Sequence, residues 1–316
     1  MTLAPIALFC YRRLNVLIQT VEALKNNKES KDSLLFIFSD GYKNEEDEPD
    51  VKEVRNYLKT IEGFKKIEII EAQNNNGLAN SIIKGVKRIV SEYGKIIVVE
   101  DDIYTSPYFL KYMNDALDIY ENEEDVACIS GYVYPIKTKE QTFFIKGSDC
   151  WGWATWKRAW DIFEPDGQKL LDEAKERNLE KELNFDNSYA YSQMLQDQID
   201  GKNNSWAIRW YASCFLKNKL CLYPGKTFVQ NIGFGVKGAT HCGAKTNIYD
   251  SELQTQPLNL KKIKTIENKN CRKKFSEYFD MLSGNTKCSF FYKKERQGNK
   301  RIITILGFIK IKYQKS

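Results

Sequence analysis

Ile96-Ile-Val-Val-Glu-Asp-Asp102 is the stretch on which the fold turns. Four β-branched apolar residues make a short buried strand, and three acids follow at its carboxyl end. Adjacent carboxylates repel one another and resist desolvation, so stability alone does not account for three of them beside a buried strand. A hard divalent cation carrying a phosphate ligand offsets that repulsion, because Mg²⁺ and Mn²⁺ take carboxylate oxygens. In open α/β sheets, ligands bind outside the carboxyl ends of the strands. A second reading makes the acids a turn leading into a helix after Pro107, with Asp102 near its N-cap.

On the amino-terminal side the pattern alternates. Pro5–Cys10, Leu34–Phe38, Ile67–Ile70 and Ile96–Val99 read as strands. Leu14–Lys25, Val51–Ile61 and Leu78–Tyr93 carry helical spacing, and Asn44–Asp50 reads as a solvated acidic loop. Strands alternating with helices of this length predict βαβ units and a parallel sheet. From about residue 131 short strands, turns and aromatic clusters take over. Helices are expected over Trp156–Phe163, Gln168–Arg177, Tyr189–Ile199 and Ser205–Lys217, before a glycine-rich segment from Gly225 to Gly243. The expected organisation is a nucleotide-binding half (1–130), a continuous acceptor half (131–260) and a basic tail (261–316).

Composition narrows the class. Hydrophobic content of 42% and charged content of 28% fit a globular chain, and no apolar run is long enough to span a bilayer. Met1–Arg13 has no basic region before its apolar run and reads as a first strand, not a signal peptide. Eight cysteines without a C-x-x-C pair, and a single histidine, argue against structural zinc and for reduced thiols in a cytoplasmic protein. Residues 261–316 hold 16 Lys and Arg against 4 Asp and Glu, while 1–260 hold 32 against 38. The apolar run Ile302–Ile311 lies among those tail cations. It suits either a peripheral place on an anionic membrane face or packing against the body as a last strand or helix. No nucleic-acid module surrounds the charges, so nucleic acid is not an expected partner.

Four polar loops follow the four strands: Arg12 and Arg13, Asp40 and Gly41, Asn74–Gly77, and Glu100–Asp102. Basic, acidic and amide-rich loops at one sheet edge suit a nucleoside diphosphate with a metal. The order Pro5–Arg12, Phe38-Ser-Asp-Gly41, Asn74–Ala79 and Val99-Glu-Asp-Asp102 resembles GT-A-fold glycosyltransferases of the bacterial family 2 type. It is also similar to the animal N-acetylglucosaminyltransferase I, through Cys150–Trp156, Tyr223–Lys226 and Asn231–His241.

The resemblance implies roles. Arg12, Asp40 (at the uracil end) and Asn80 would hold the nucleotide, and Glu100 and Asp101 would sit near the sugar and ribose. Asp102, in the family's variant of the D-x-D motif, would ligate Mn²⁺ or Mg²⁺. His241 would lie in a loop closing over the nucleotide, within reach of the metal or a phosphate. The animal enzyme's Trp-Asp-Asp base is missing, since Ser205–Trp210 carries no carboxylate. Asp197 is the first substitute, with Asp200 and Asp149 also available. Trp151 and Trp153 are candidates for an acceptor platform, because sugar faces stack on indole.

The expectation is therefore a metal-dependent, inverting glycosyltransferase. It would move a hexosyl or N-acetylhexosaminyl group from a UDP-linked donor to a growing bacterial surface glycan or lipid-linked glycan. A sugar nucleotidyltransferase needs a glycine-rich triphosphate loop where Cys10–Leu14 stands, and a catalytically silent binding protein would explain the missing base.

Overall fold

Strands β1 (Ile6–Cys10), β2 (Leu34–Ser39), β3 (Lys66–Glu71) and β4 (Lys95–Glu100) lie parallel, in the order β3-β2-β1-β4, in the computed structural model. The structure describes residues 2–236 and 248–283, and the backbone of three strands between 293 and 314. Helices α1 (Leu14–Lys25), α2 (Glu48–Leu58) and α3 (Leu78–Tyr93) connect the parallel strands. Their apolar stripes face the sheet: Val16, Leu17, Val21 and Leu24 on α1, and Ile82, Val86, Ile89 and Val90 on α3, are all buried. Strands β1 and β4 are covered on both faces, which is why they read as unbroken apolar runs.

After β4 come β5 (Ile103–Thr105), α4 (Phe109–Ile119), β6 (Val126–Ser130), β7 (Thr142–Lys146) and β8 (Trp153–Trp156). The chain continues through α5 (Lys157–Trp160), α6 (Gly167–Glu176), α7 (Glu180–Leu183), α8 (Tyr191–Ile199) and α9 (Trp206–Leu216). Then follow β9 (Leu220–Pro224), β10 (Val229–Asn231) and α10 (Lys269–Leu282). Strand β8 pairs antiparallel with both β4 and β6 and joins the two halves into one eight-stranded sheet, β3-β2-β1-β4-β8-β6-β9-β7. The expected helix over Trp156–Phe163 is corrected at its start, since Trp153–Trp156 is a strand and the helix is only Lys157–Trp160.

The tail is not one unit. Its first part packs on the body, with Cys271, Phe275, Tyr278 and Phe279 of α10 buried and Asn268 N–H donating to the Phe144 carbonyl at 2.8 Å. Further on, β11 (Lys293–Gln297), β12 (Lys300–Ile305) and β13 (Ile309–Gln314) form an antiparallel sheet of their own. Among the described residues, no helix is long and apolar enough to cross a membrane.

Candidate active site

Six strands, β1 to β4, β6 and β9, end at the same edge of the sheet, and the antiparallel β7 and β8 begin there. The pairs Val98↔Trp153 and Ser130↔Trp153 bring the approach to β8, residues 149–152, beside the acidic end of β4. The pair Thr142↔Pro224 places the end of β9 at that edge as well.

Asp101 and Asp102 meet the Arg13 guanidinium, with Glu100 beside them in the chain. Arg13 Nη2 lies 2.8 Å from Asp102 Oδ2 and also pairs with Asp101 Oδ1, while Nε donates to Asp101 Oδ2 at 3.4 Å. One cation among three carboxylates leaves excess negative charge. Burial, with Asp102 and Asp101 adding to it, pushes Glu100 up to about 8. Burial pushes Asp101 up to about 6 against the opposing pull of Arg13. The main chain of the loop is fixed: Thr20 Oγ1 donates to the Asp101 carbonyl at 2.9 Å, and Ile232 N–H to the Asp102 carbonyl at 2.8 Å. Gly233 lies so close to Asp102 and Arg13 that a Cβ there would collide with both. The acids end in β5 and not in a helix turn, which removes the N-cap reading of Asp102.

Asp40 is 7% exposed and its carboxylate serves backbone amides. Oδ1 accepts from Gly41 and Asn76 at 2.9 and 2.8 Å, and Oδ2 from Gly77 at 2.9 Å. It thereby fastens the Asn74–Gly77 loop at the start of α3. Asn80 is exposed one turn into α3 and donates to the Asn76 carbonyl at 2.9 Å. A cleft of about 200 Å³ opens beside Asp40 and Asn76, its lining including Phe38, Ile70, Ala72, Lys84 and Arg88. Arg12 turns away from the acidic loop and pairs with Asp47, which also accepts from Tyr11 Oη at 2.7 Å. Asp47 is 5% exposed, so the expected solvated loop contains one buried, fully engaged acid.

On the other side of the edge stands Asp149. Its Oδ1 accepts from the amides of Cys150 at 2.7 Å and Trp151 at 3.4 Å, and Oδ2 accepts from Tyr223 Oη at 3.2 Å. Burial pushes its carboxyl up to about 6 against those three donors. Trp151 is half-buried and meets Tyr132, Phe234 and Tyr249 edge to face, with centroids at 4.6, 5.8 and 5.7 Å. Trp153 is corrected. It is wholly buried and stacks on Trp206 at 5.3 Å, with Trp160 and Trp210 alongside. Gly152, at φ +56°, turns the chain between the two indoles, so the alternation that would put residues 151 and 153 on one face is broken.

Asp197 pairs with residues of its own helix and of the loop after it. It lies on α8, bonded to Gln193 at 3.0 Å and Lys202 at 3.2 Å, a solvated acid near a helix end. Asp200 shares Lys202 with it at 2.9 Å. Arg209 neither points outwards nor enters the site, and instead ties Ser205, Pro165 and Asn204 together. His241 lies outside the described residues.

Residues 6–159, a little under half of the chain, match the family model described as Glycosyl transferase family 2. This segment is similar to Glycosyl transferase family 2. No curated protein matches the chain. Among solved structures, it is similar to TarS of S. aureus at 14% identity and a TM-score of 0.31, over 44% of this chain and 24% of that one. It is similar to the mannosyltransferase PcManGT from Pyrobaculum calidifontis, in complex with GDP-Man and Mn²⁺, at 10% identity and a TM-score of 0.31, over 42% and 36% of the two chains. A UDP-glucose pyrophosphorylase complexed with UDP-glucose matches at 16% identity and a TM-score of 0.36, over 70% and 90%. The chain thus spans about a quarter of TarS and about a third of PcManGT.

The matching segment runs from β1 to α5 and has the mixed α/β, mostly parallel sheet expected of the GT-A fold. It contains Arg13, Asp40, Glu100–Asp102 and Asp149, while Tyr223 and Gly233 come from beyond it. Its donor set suits a divalent cation in one specific way. Among the described residues, no three His, Cys, Asp or Glu side chains form a ready-made metal cage. Asp102 Oδ2 is held by Arg13, and its Oδ1 has no protein partner among the described residues. One hard oxygen of that kind fits a cation whose remaining ligands are phosphate oxygens and water.

Proposed function

We propose that this chain is a glycosyltransferase that moves a sugar from a nucleotide donor to a glycan acceptor with inversion at the anomeric carbon. The observation that carries the reading is the Glu100–Asp102 loop at the carboxyl edge of β4, inside the segment that matches family 2, with Asp102 Oδ1 open to a cation among the described residues. Residues of the chain divide the work across that edge. Asp40 fastens the amide loop at the start of α3, and the cleft beside it offers apolar side chains to a base, in keeping with UDP as the nucleotide. Arg13 sets the direction of Asp101 and Asp102. Asp102 would hold Mn²⁺ or Mg²⁺, which when bound supplies charge neutralisation for a departing diphosphate. Trp151, with Phe234 and Tyr249, offers apolar ring surface to an acceptor sugar.

The carboxyl-terminal segment supports a second part of the proposal. Residues 284–316 carry nine Lys and Arg against one Glu. A basic segment of this kind is drawn to anionic lipid by about 1 kcal/mol per cation near the surface. A peripheral position at a membrane face would bring the site to lipid-linked acceptors. A chain ending at 283 keeps the buried α10 side chains, and unchanged sedimentation of that chain with phosphatidylserine vesicles would remove this part.

The first test is thermal denaturation with UDP or GDP, each with Mn²⁺ and with chelator. Metal-dependent stabilisation by UDP that disappears in Asp102→Ala supports the donor site. Stabilisation by GDP alone keeps the chemistry and overturns uracil. No response to either nucleotide in the unmutated protein overturns the transferase reading.

A further inference from the structure

The geometry points to Asp149 as the base that takes the proton of the acceptor hydroxyl, an inference that rests on the transferase reading above. The reaction needs a carboxylate beside the acceptor, and Asp197 is engaged with Gln193 and Lys202. The pairs Val98↔Trp153 and Ser130↔Trp153 bring residues 149–152 to the acidic end of β4, so Asp149 shares that edge with Glu100–Asp102. Tyr223 at the end of β9 meets it there.

The two oxygens of Asp149 are not equivalent. Oδ1 is held by two backbone amides, which fix the plane of the carboxylate. Among the described residues Oδ2 has one phenol, at 3.2 Å, and a lone pair left over, and the residue is partly open to solvent. Cys150 and Cys221 and the phenols of Tyr132, Tyr134, Tyr191 and Tyr223 lie around it, raised by burial, and Glu100 and Asp102 are the acids at the same edge. Among the described residues no cation pairs with the Asp149 carboxyl as Arg13 does with Asp101, and only hydrogen bonds oppose the effect of its burial. Its value of about 6 suits a base that is ionised near neutrality and still binds a proton well. In the step itself, the acceptor oxygen forms a bond to the anomeric carbon as its proton moves to Asp149 Oδ2. The bond from that carbon to the diphosphate oxygen breaks, its electron pair leaves with the diphosphate, and the proton on Asp149 then passes to water.

The test reads release of nucleoside diphosphate from UDP-glucose, UDP-N-acetylglucosamine and GDP-mannose, with methyl glycosides and water as acceptors, in the full chain. Asp149→Asn is expected to slow release by about 100-fold or more, with metal-dependent UDP binding unchanged. Tyr223→Phe removes the phenol that lowers the Asp149 value, so the acidic limb of its pH–rate profile should move to higher pH. Asp197→Asn should match the unmutated protein. Wild-type rates in Asp149→Asn, or an unmoved limb in Tyr223→Phe, overturn Asp149 as the base while the donor site stands. A wild type that neither binds UDP or GDP with Mn²⁺ nor releases diphosphate overturns the transferase reading and this inference with it.

Discussion

Arg13 Nη2 lies 2.8 Å from Asp102 Oδ2, and the same guanidinium engages Asp101. This fork is the charge that lets three consecutive acids end a buried strand. Arg13→Ala leaves those acids without their partner. Removing one member of a buried ion pair costs about 3–5 kcal/mol, and the Arg13 side chain is only 15% exposed. Urea denaturation in chelator should show a loss of that order, and added Mn²⁺ should return more stability to the variant than it gives the unmutated protein. Equal effects of Mn²⁺ on the two would show that the fork and a cation do not share this charge.

Asp40 is argued from its three amide donors. Asp40→Ala leaves the N–H groups of Gly41, Asn76 and Gly77 without their acceptor and frees the loop before α3. Each buried donor left unpaired costs about 1–3 kcal/mol, less where water replaces the carboxylate. Stability should therefore fall by at least about 1 kcal/mol, and affinity for UDP should fall with it. A variant that loses affinity at unchanged stability would assign Asp40 to the base alone.

The two indoles on either side of Gly152 should separate in measurement. Trp153→Ala empties a fully buried site among Trp160, Trp206 and Trp210, and should cost about 3–5 kcal/mol. Trp153→Phe should cost less, because it also removes a buried indole N–H that has no partner among the described residues. Trp151→Ala should leave stability within about 1 kcal/mol and raise KM for the acceptor. Comparable stability losses at both positions would place Trp151 in the core.

The first half of the chain was legible because its contacts follow its order. Leu14–Lys25 and Leu78–Tyr93 coincide with α1 and α3, since a 3.6-residue stripe against a sheet is a local signal. The second half depends on partners distant in sequence. Trp156 reads as the start of a helix to Phe163, and it instead ends β8, which fills the gap between β4 and β6. Arg12 and Arg13 cannot be told apart by composition, and only the turn after β1 sends the first to Asp47 and the second to the acids. The proposed base, Asp149, was harder to single out than Asp197 for a similar reason. The closeness of Asp149 to Tyr223 and Cys150 is set by strand register and leaves no mark on a local pattern, although its place just before the tryptophan motif was visible.

Asp149 also makes a prediction about stability, separate from catalysis. Its carboxyl is raised from 3.8 to about 6 in the folded chain, chiefly by burial. A raised group binds its proton more tightly in the folded state, so its favourable contribution is complete below about pH 3.8. It declines as pH climbs and is gone above about pH 6. Two units correspond to about 3 kcal/mol at most, and partial solvent access reduces that. Asp149→Asn removes the titration. Urea midpoints taken from pH 4 to pH 7 should fall less steeply with pH for the variant than for the unmutated protein. At pH 7 the variant should be at least as stable, even as its diphosphate release collapses. Parallel pH slopes in the two proteins would mean that Asp149 is not desolvated in the fold, and a large loss of stability at pH 7 would mark it as a structural acceptor.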